Sequence, residues 1–331
     1  MVAERPKLPV STRDIDQLMI GLEVQMGGLA HCIINPGWRL AFTAGQKTAI
    51  HYVVRGHGTM TVAEFPPIEL APHSMVIVPS MLPVRVEITR PVPSNTKCFD
   101  VSQLEQGKID EIVAGSGGPE LILMCGYFES SYGRSIDIFT TLTAPIVEQF
   151  DPADRLDQSL AAVLNETASE RVGRAAMIGS LLKQVIVSVL RRSFEEPGLW
   201  TQRFPIMNDP QIARAFASMI ADPCESHTTN TLARVAGLSR SAFMSRFSEA
   251  LGVSPLAALR ELRMRRAANL LDAKMMSVEQ VASAVGYVNR SSFSRAFRAI
   301  YGVDPTDYRA GSRRAGDDMW IVEDESSSVE P

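Results

Sequence analysis

The sequence contains few of the features that mark secreted, membrane-spanning or disulfide-stabilised proteins. Only 4 of the 331 residues are cysteine, and they lie far apart without a C-x-x-C pair, which argues against a zinc knuckle and against a disulfide framework. The first ten residues do not read as a signal peptide, and polar side chains interrupt the longest apolar stretch, residues 175–190. No membrane partner is therefore expected, and a cytoplasmic location is predicted.

The net charge is also small, −4 at pH 7, which taken alone argues against a nucleic-acid-binding protein. The charges are unevenly distributed, however. Residues 226–310 contain 12 Lys and Arg against 6 Asp and Glu, whereas residues 1–225 contain 19 against 25 and residues 311–331 contain 2 against 6. Because the field of a charged surface falls off within about 10 Å at moderate salt, local charge decides phosphate binding. Residues 226–310 are therefore the candidate DNA-binding segment.

The N-terminal part of the chain has the pattern of a β-rich domain. Short apolar runs alternate with proline- and glycine-containing segments, as in a small barrel or sandwich. The runs are residues 28–34, 49–54, 59–62, 74–78 and 121–125. From about residue 152 to 220 the apolar period becomes helical, and the broad apolar face of residues 177–190 predicts either intramolecular core or a dimer contact.

An internal repeat at a spacing of 49 to 50 residues is the most informative feature of the sequence. The segment LARVAGLSRSAF, from Leu232 to Phe243, corresponds to VASAVGYVNRSSF, from Val281 to Phe293. Each copy has an apolar helix, then a glycine for a turn, then a serine or asparagine that can cap a second helix. This order predicts two helix-turn-helix units.

The second helix of each unit is expected at about residues 239–250 and 289–299. Phenylalanines four residues apart, Phe243 with Phe247 and Phe293 with Phe297, predict its buried face. The opposite edge would then enter a major groove. The residues predicted to contact DNA are Arg240, Ser241, Met244, Ser245 and Arg246 in the first copy, Arg290, Ser291, Ser294 and Arg295 in the second, and Arg263 on the intervening helix as a phosphate contact.

These motifs, together with Met264, Ala267, Leu270 and Leu271 of the intervening helix, resemble the AraC/XylS family of transcription regulators over roughly residues 209–310. The resemblance implies two units, joined by a rigid helix, that bind successive major grooves of a double-stranded DNA operator. It places Arg295 at a position that commonly contacts bases, where bidentate bonding to guanine is expected. RNA polymerase would be a partner of an activator, and a small-molecule effector and a homodimer remain open.

With the segments Pro36–Arg39, His51–Gly56 and Cys125–Phe128 at matching positions, residues 11–135 are similar to the cupin-type sensor domain that often precedes such a module. Metal-binding cupins use two or three histidines and a carboxylate. Here His51 stands near one such position, but Val84 occupies the place of another, so neither a metal nor a cofactor is expected. The candidate ligand-binding residues are Trp38, His51 and Tyr52, with core packing as the alternative for the two aromatic residues.

The predicted fold class is therefore an α+β multidomain protein. The expected segments are a cupin-like β-barrel in residues 1–140, a helical linker and dimerisation region in 141–208, an all-α double helix-turn-helix domain in 209–310, and an acidic, disordered tail in 311–331. The favoured function is that of a sequence-specific DNA-binding transcription regulator and not an enzyme.

Two alternatives remain open at this point. One is a cupin-type metal-dependent enzyme, for which the candidate residues are His51, Glu64, His73 and Glu87. The other is a thiol redox sensor that uses Cys32 and Cys125, both in predicted strands.

Overall fold

The computed structural model describes residues 10–88, 96–101, 109–118, 120–133, 136–139, 142–151, 156–167, 171–195 and 205–317. The chain divides into two compact units, with the boundary between Ala213 and Arg214. The predicted boundaries of the four segments stay a prediction. Most of the predicted acidic tail lies outside the described residues.

The first unit opens with helix α1 (Thr12–Gly21), which Ser11 caps, and continues as strands. Its strands are β1 (Glu23–Ile34), β2 (Trp38–Phe42), β3 (Thr48–Arg55), β4 (Gly58–Val62), β5 (Ile68–Leu70), β6 (Ser74–Val78), β7 (Val84–Glu87), β8 (Lys97–Val101), β9 (Ile109–Ala114), β10 (Leu121–Tyr132), β11 (Ile136–Asp137) and β12 (Ile146–Gln149). All five apolar runs noted in the sequence are strands or parts of strands, which confirms the predicted β-rich domain.

The described strands form two sheets around one apolar core. The larger sheet has the order β12-β6-β3-β10-β1-β9, with β11 beside β10, and the smaller has the order β5-β4-β7-β2-β8. Neighbouring strands are antiparallel except for β1 with β9 and β2 with β8. Alternate residues of both sheets, among them Cys32, Leu40, Met60, Val86 and Leu123, supply the shared core. Along each strand, successive side chains point alternately into this core and away from it, so two neighbouring residues lie on opposite faces of the sheet.

Two longer helices follow the strands in the first unit, α2 (Leu156–Thr167) and α3 (Arg174–Glu195). They pack on each other, and α3 also packs on β1. Leu182, Val185, Ile186 and Val189 are fully buried, whereas Met177 is 52% exposed. The apolar face predicted for residues 177–190 therefore contributes mainly to intramolecular core.

The second unit is helical. The first unit ends with a short 3₁₀ helix (Pro205–Asn208) and the first four residues of α4 (Pro210–Ala221), and the rest of α4 belongs to the second unit. The helices that follow are α5 (Thr229–Ala236), α6 (Arg240–Leu251), α7 (Pro255–Asp272), α8 (Val278–Ala284), α9 (Arg290–Tyr301) and α10 (Pro305–Asp317). The last of these extends into the segment that was predicted as a disordered tail. No helix among the described residues is long and apolar enough to cross a membrane.

Candidate nucleic-acid interface

The first helix-turn-helix unit consists of α5 and α6. Thr228 and Thr231 form a reciprocal capping box at the start of α5, which satisfies backbone N–H groups that have no partner within the helix. Gly237 ends α5 with φ of 68°, a left-handed conformation in which a side chain would be strained. Ser239 then begins α6, its Oγ accepting a hydrogen bond from the Ala242 amide at 3.3 Å. Local sequence thus fixes both helices and the turn between them.

The second unit, α8 and α9, repeats this arrangement. Ser277 and Gln280 form the capping box of α8, and Gly286 turns the chain with φ of 80°. Asn289 begins α9, its Oδ1 accepting from the Ser292 amide at 2.8 Å. The turn has one residue more than in the first unit, and this residue, Val288, is fully exposed.

Phenylalanines anchor the second helix of each unit in its core, as the sequence predicted. Phe243, Phe247, Phe293 and Phe297 are all 0% exposed. Within each pair the ring centroids lie 5.5 and 5.7 Å apart. We call α6 and α9 the first and second recognition helices. Because their phenylalanines face inward, the opposite edge of each helix faces away from that core.

The outward edges carry the residues predicted to contact DNA. Of these, Arg240, Ser241, Ser245, Arg290, Ser291 and Arg295 are exposed, and Met244, Arg246 and Ser294 are half-buried. The Arg290 Nη1 lies 3.9 Å from the Glu279 Oε1 of α8. Each recognition helix therefore presents a short polar edge, and only the second places an arginine, Arg295, where the first has Ser245.

Arg263 has a different environment from the exposed arginines of its own helix. It was predicted to contact phosphate, but its Nε donates to the Pro223 carbonyl at 2.7 Å and its Nη2 to the Glu225 carbonyl at 2.9 Å. By contrast, Arg260 and Arg266 on the same helix are exposed. The side chain of Arg263 thus has partners within the protein, and its phosphate contact stays a prediction.

Val288 is a surface residue that the sequence reasoning did not single out. It stands directly before the cap of the second recognition helix, and at 101% it is the most exposed large apolar side chain among the described residues. The available signal was the change of repeat spacing from 49 to 50 residues, which marks an added residue in this turn.

In the β-rich unit the structure does not bring the three candidate ligand residues together. His51 lies opposite Cys125 of β10 on the inner face of β3. Tyr52 is the next residue along the strand and so points to the opposite face, where its hydroxyl hydrogen-bonds the His73 Nδ1 at 2.9 Å. Trp38 packs beneath Lys97, whose Nζ lies 5.4 Å from the indole centroid.

His51 is the unusual group of the inner core. It is 2% exposed, it packs edge-on against Phe42, and neither ring nitrogen has a hydrogen-bond partner among the described residues. Burial lowers the pKa of His51 to about 4, so the imidazole is neutral at pH 7. The ring lines a small pocket of about 10 Å³, room for about one water molecule, that Lys47, Leu82 and Tyr127 also line.

The two cysteines proposed for redox sensing lie next to each other but are inaccessible. Cys32 and Cys125 are free thiols, each 0% exposed, on adjacent antiparallel strands. Burial, and then a hydrogen bond with Cys32, raise the pKa of Cys125 well above its ordinary value. Because the thiolate is the reactive form, this environment favours an inert core pair. The structure therefore does not favour the thiol-sensor alternative.

The residues considered for catalysis do not converge either. Glu87 is paired with Arg39 at 3.4 Å, Glu64 is exposed, and His73 is bonded to Tyr52. Within the described ranges no group of three or more His, Cys, Asp or Glu side chains is arranged to hold a metal ion. No acid–base or metal cluster of these residues supports the enzyme alternative.

Comparisons with known proteins match two parts of the chain to two different families. The family described as Cupin matches residues 15–195, and the family described as Helix-turn-helix domain matches residues 232–311. The RCS-specific HTH-type transcriptional activator RclR of Escherichia coli is 23% identical over 86% of this chain and 92% of its own length. A putative AraC-like transcription regulator of Streptomyces antibioticus is 26% identical over 85% of this chain and 92% of its own length.

Among solved structures, the DNA-binding domain of AdpA in complex with a target DNA is similar to part of this chain. It is 31% identical, covers 32% of this chain and 95% of that domain, and has a TM-score of 0.31. The relatives from Escherichia coli and Streptomyces antibioticus are both named as regulators of transcription.

Proposed function

Because the chain belongs to the AraC-type transcription regulators with an N-terminal cupin domain, we propose that its two recognition helices bind successive major grooves of one operator. The family membership establishes a DNA-binding regulator. The proposal adds which residues contact the DNA and which of the two units makes the base contacts.

One observation carries the proposal. Two helices at a fixed spacing in the sequence bury their phenylalanines completely and leave equivalent polar edges exposed. A helix presented in this way fits the major groove of B-DNA, which is about 12 Å wide. The basic character of residues 226–310 favours binding to phosphates on both sides of the groove.

We propose that the second unit supplies most of the base specificity. Arg295 can donate two hydrogen bonds to the O6 and N7 of one guanine. Val288, exposed at the start of the same helix, can contact the methyl group of a thymine. The first unit offers Ser241, Met244 and Ser245, which are weaker hydrogen-bonding groups, and we assign it mainly to docking and phosphate contact.

We propose that the cupin domain supplies the regulatory input. The two ring nitrogens of the buried, neutral His51 can hydrogen-bond a polar effector once the small pocket beside the ring widens to admit it. A homodimer is a further proposal. RNA polymerase is a partner if this chain acts as an activator, the role that the name of the Escherichia coli relative gives to that protein.

In vitro selection from random duplex DNA with the full-length protein tests the proposal. We expect two conserved half-sites separated by about one helical turn, or 10 base pairs. Arg295→Ala should weaken binding to the selected duplex by about 1–3 kcal/mol and relax the base preference at one position. Ser245→Ala is the matched change in the first unit and should have a smaller effect.

Equal affinity of wild type and Arg295→Ala over a salt titration would refute the base contact. Failure to enrich any sequence, with or without added effector mixtures, would count against the proposed binding mode as a whole.

A further inference from the structure

The intervening helix α7 belongs to both helix-turn-helix units. Its C-terminal half, through Met264, Ala267 and Leu271, packs in the core of the second unit. Its N-terminal half buries Ala258, Leu259 and Leu262, which lie outside that core, and the helix also contacts the first recognition helix. Arg263 stands between Leu262 and Met264, at the point where the packing passes from one unit to the other.

The side chain of Arg263 ends on the loop that leads into the first unit. Its two hydrogen bonds reach the carbonyls of Pro223 and Glu225. This loop is itself ordered, since the Cys224 amide donates to Asp222 Oδ1 at 3.0 Å and the His227 Nε2 bonds the Asp222 carbonyl at 2.8 Å. Thr228, the cap of the first helix of that unit, follows at once. A displacement of Arg263 would therefore be passed directly to the start of the first unit.

The same guanidinium lies against the turn of the second unit. A Cβ atom placed on Gly286 would lie 3.2 Å from the Arg263 Cζ and 3.2 Å from the Cys224 carbonyl oxygen. Cys224 is also partly buried against the core of the second unit. The loop of the first unit, the guanidinium and the turn before the second recognition helix thus meet in one junction.

From these contacts we propose that Arg263 is a positioning residue that fixes the first unit relative to the second and thereby sets the spacing of the two DNA half-sites. The inference rests on the proposed function, because it assumes that both recognition helices bind one duplex. The physical reason is that the hydrogen bonds of Arg263 are directional and apolar packing is not. Apolar packing of the N-terminal half of α7 is non-directional, whereas the planar guanidinium with two charge-assisted hydrogen bonds permits one arrangement of the loop.

The test compares Arg263→Lys with Arg260→Lys. Lysine keeps the positive charge but has no planar fork, so it cannot reproduce both bonds of the guanidinium. Arg260 lies one turn away on the same helix and is exposed, which makes its substitution the matched control. The probes are the duplex selected by the full-length wild-type protein and versions of it with one base pair added or removed between the half-sites.

For wild type and Arg260→Lys we expect a loss of roughly tenfold or more in affinity when the spacing is changed, because only a fixed geometry gains from simultaneous binding. For Arg263→Lys we expect roughly tenfold weaker binding to the original duplex, little further loss on changing the spacing, and unchanged binding to a single half-site. A residue that only stabilised the fold would not change the spacing preference.

Two further measurements separate positioning from phosphate contact and from unfolding. Arg263→Gln should leave the slope of log affinity against log salt unchanged, whereas a lost phosphate contact would reduce it by about 0.9. In a Cys98→Ser background, which removes an exposed thiol, Ellman's reagent should modify Cys224 several-fold faster in Arg263→Lys than in Arg260→Lys if the loop is released.

If wild type bound the duplexes with altered spacing as tightly as the original duplex, the inference would be overturned, even if no Arg263 variant folded. Equal behaviour of Arg263→Lys and Arg260→Lys, with a duplex that wild type selects and binds, would overturn the inference while leaving the proposed function intact. If wild type selects no duplex, the proposed function itself fails.

Discussion

The two helix-turn-helix units have the same internal structure and different surfaces. Both bury a phenylalanine pair, both turn at a glycine in the left-handed region, and both cap the recognition helix with a side-chain oxygen. On the outer edge, however, Ser245 of the first unit corresponds to Arg295 of the second. The comparison teaches that the buried positions maintain a common scaffold while a few exposed positions determine what each unit can recognise.

The surroundings of the two units differ as well. In the second unit Tyr301 stacks on Phe297 with centroids 4.5 Å apart, and Tyr308 packs edge-on at 5.3 Å. In the first unit the corresponding edge contact comes from Phe216 of α4, 6.0 Å from Phe247. Each unit therefore completes its core with an aromatic residue from a helix outside the repeat.

The largest effect is expected from removing a core ring. Phe293→Ala should lower the free energy of unfolding by about 3–5 kcal/mol, because the ring is fully buried and its loss leaves a cavity. Phe243→Ala tests whether the first unit depends on its core equally. Chemical denaturation measures both, with Phe293→Leu as a control that keeps most of the volume. A loss below about 1 kcal/mol for Phe293→Ala would contradict the shared scaffold.

A smaller effect is expected at the caps of the recognition helices. Asn289→Ala and Ser239→Ala should each cost about 1 kcal/mol of stability, the usual value for loss of a capping oxygen. The loss should be greater at Asn289, whose hydrogen bond is 2.8 Å long against 3.3 Å at Ser239. Thermal unfolding of both variants, with Asn289→Asp as the control that retains the acceptor, measures this difference. A larger loss of stability at Ser239 than at Asn289 would contradict the order that the two hydrogen-bond distances predict.

The smallest effect is expected from an ion pair that only the second unit has. Arg298 pairs with Asp304, and the corresponding positions of the first unit are Ser248 and Ser254. Since the arginine side chain is 62% exposed, Arg298→Ala should cost less than about 1 kcal/mol, and the cost should shrink as salt is added. A double-mutant cycle with Asp304→Asn isolates the pair. A coupling energy that is large and does not change with salt would contradict this expectation and would show that the pair stabilises the second unit by a contact that the first unit lacks.

The repeat could be predicted from the sequence because its determinants are local. The capping residues, the turn glycines and the spacing of the phenylalanines each constrain the backbone within a few residues. The structure confirms the resulting helices, α6 at Arg240–Leu251 and α9 at Arg290–Tyr301, against predicted spans of about 239–250 and 289–299. The strands of the first unit were found for the same reason, from alternation and turn residues.

The candidate ligand site could not be predicted in the same way. Strand alternation alone places His51 and Tyr52 on opposite faces of β3, but it does not tell which face meets the core or that Trp38 lies on the smaller sheet. Which face is buried depends on how two sheets pack, and this involves residues far apart in the chain. Arg263 illustrates the same limit, since a solvated arginine and one bonded to backbone carbonyls 38 and 40 residues away have the same sequence pattern.

The sequence by itself determined the two recognition helices, their inward phenylalanines and their polar edges, because helix periodicity and capping act over short distances. Only the tertiary structure decided that Arg263 of α7 bonds to backbone carbonyls, that the imidazole of His51 lies in the core between the sheets, and that the two neighbouring thiols are buried. Those outcomes depend on contacts between distant segments, and the free energy of such contacts is set by packing and burial that no local pattern specifies.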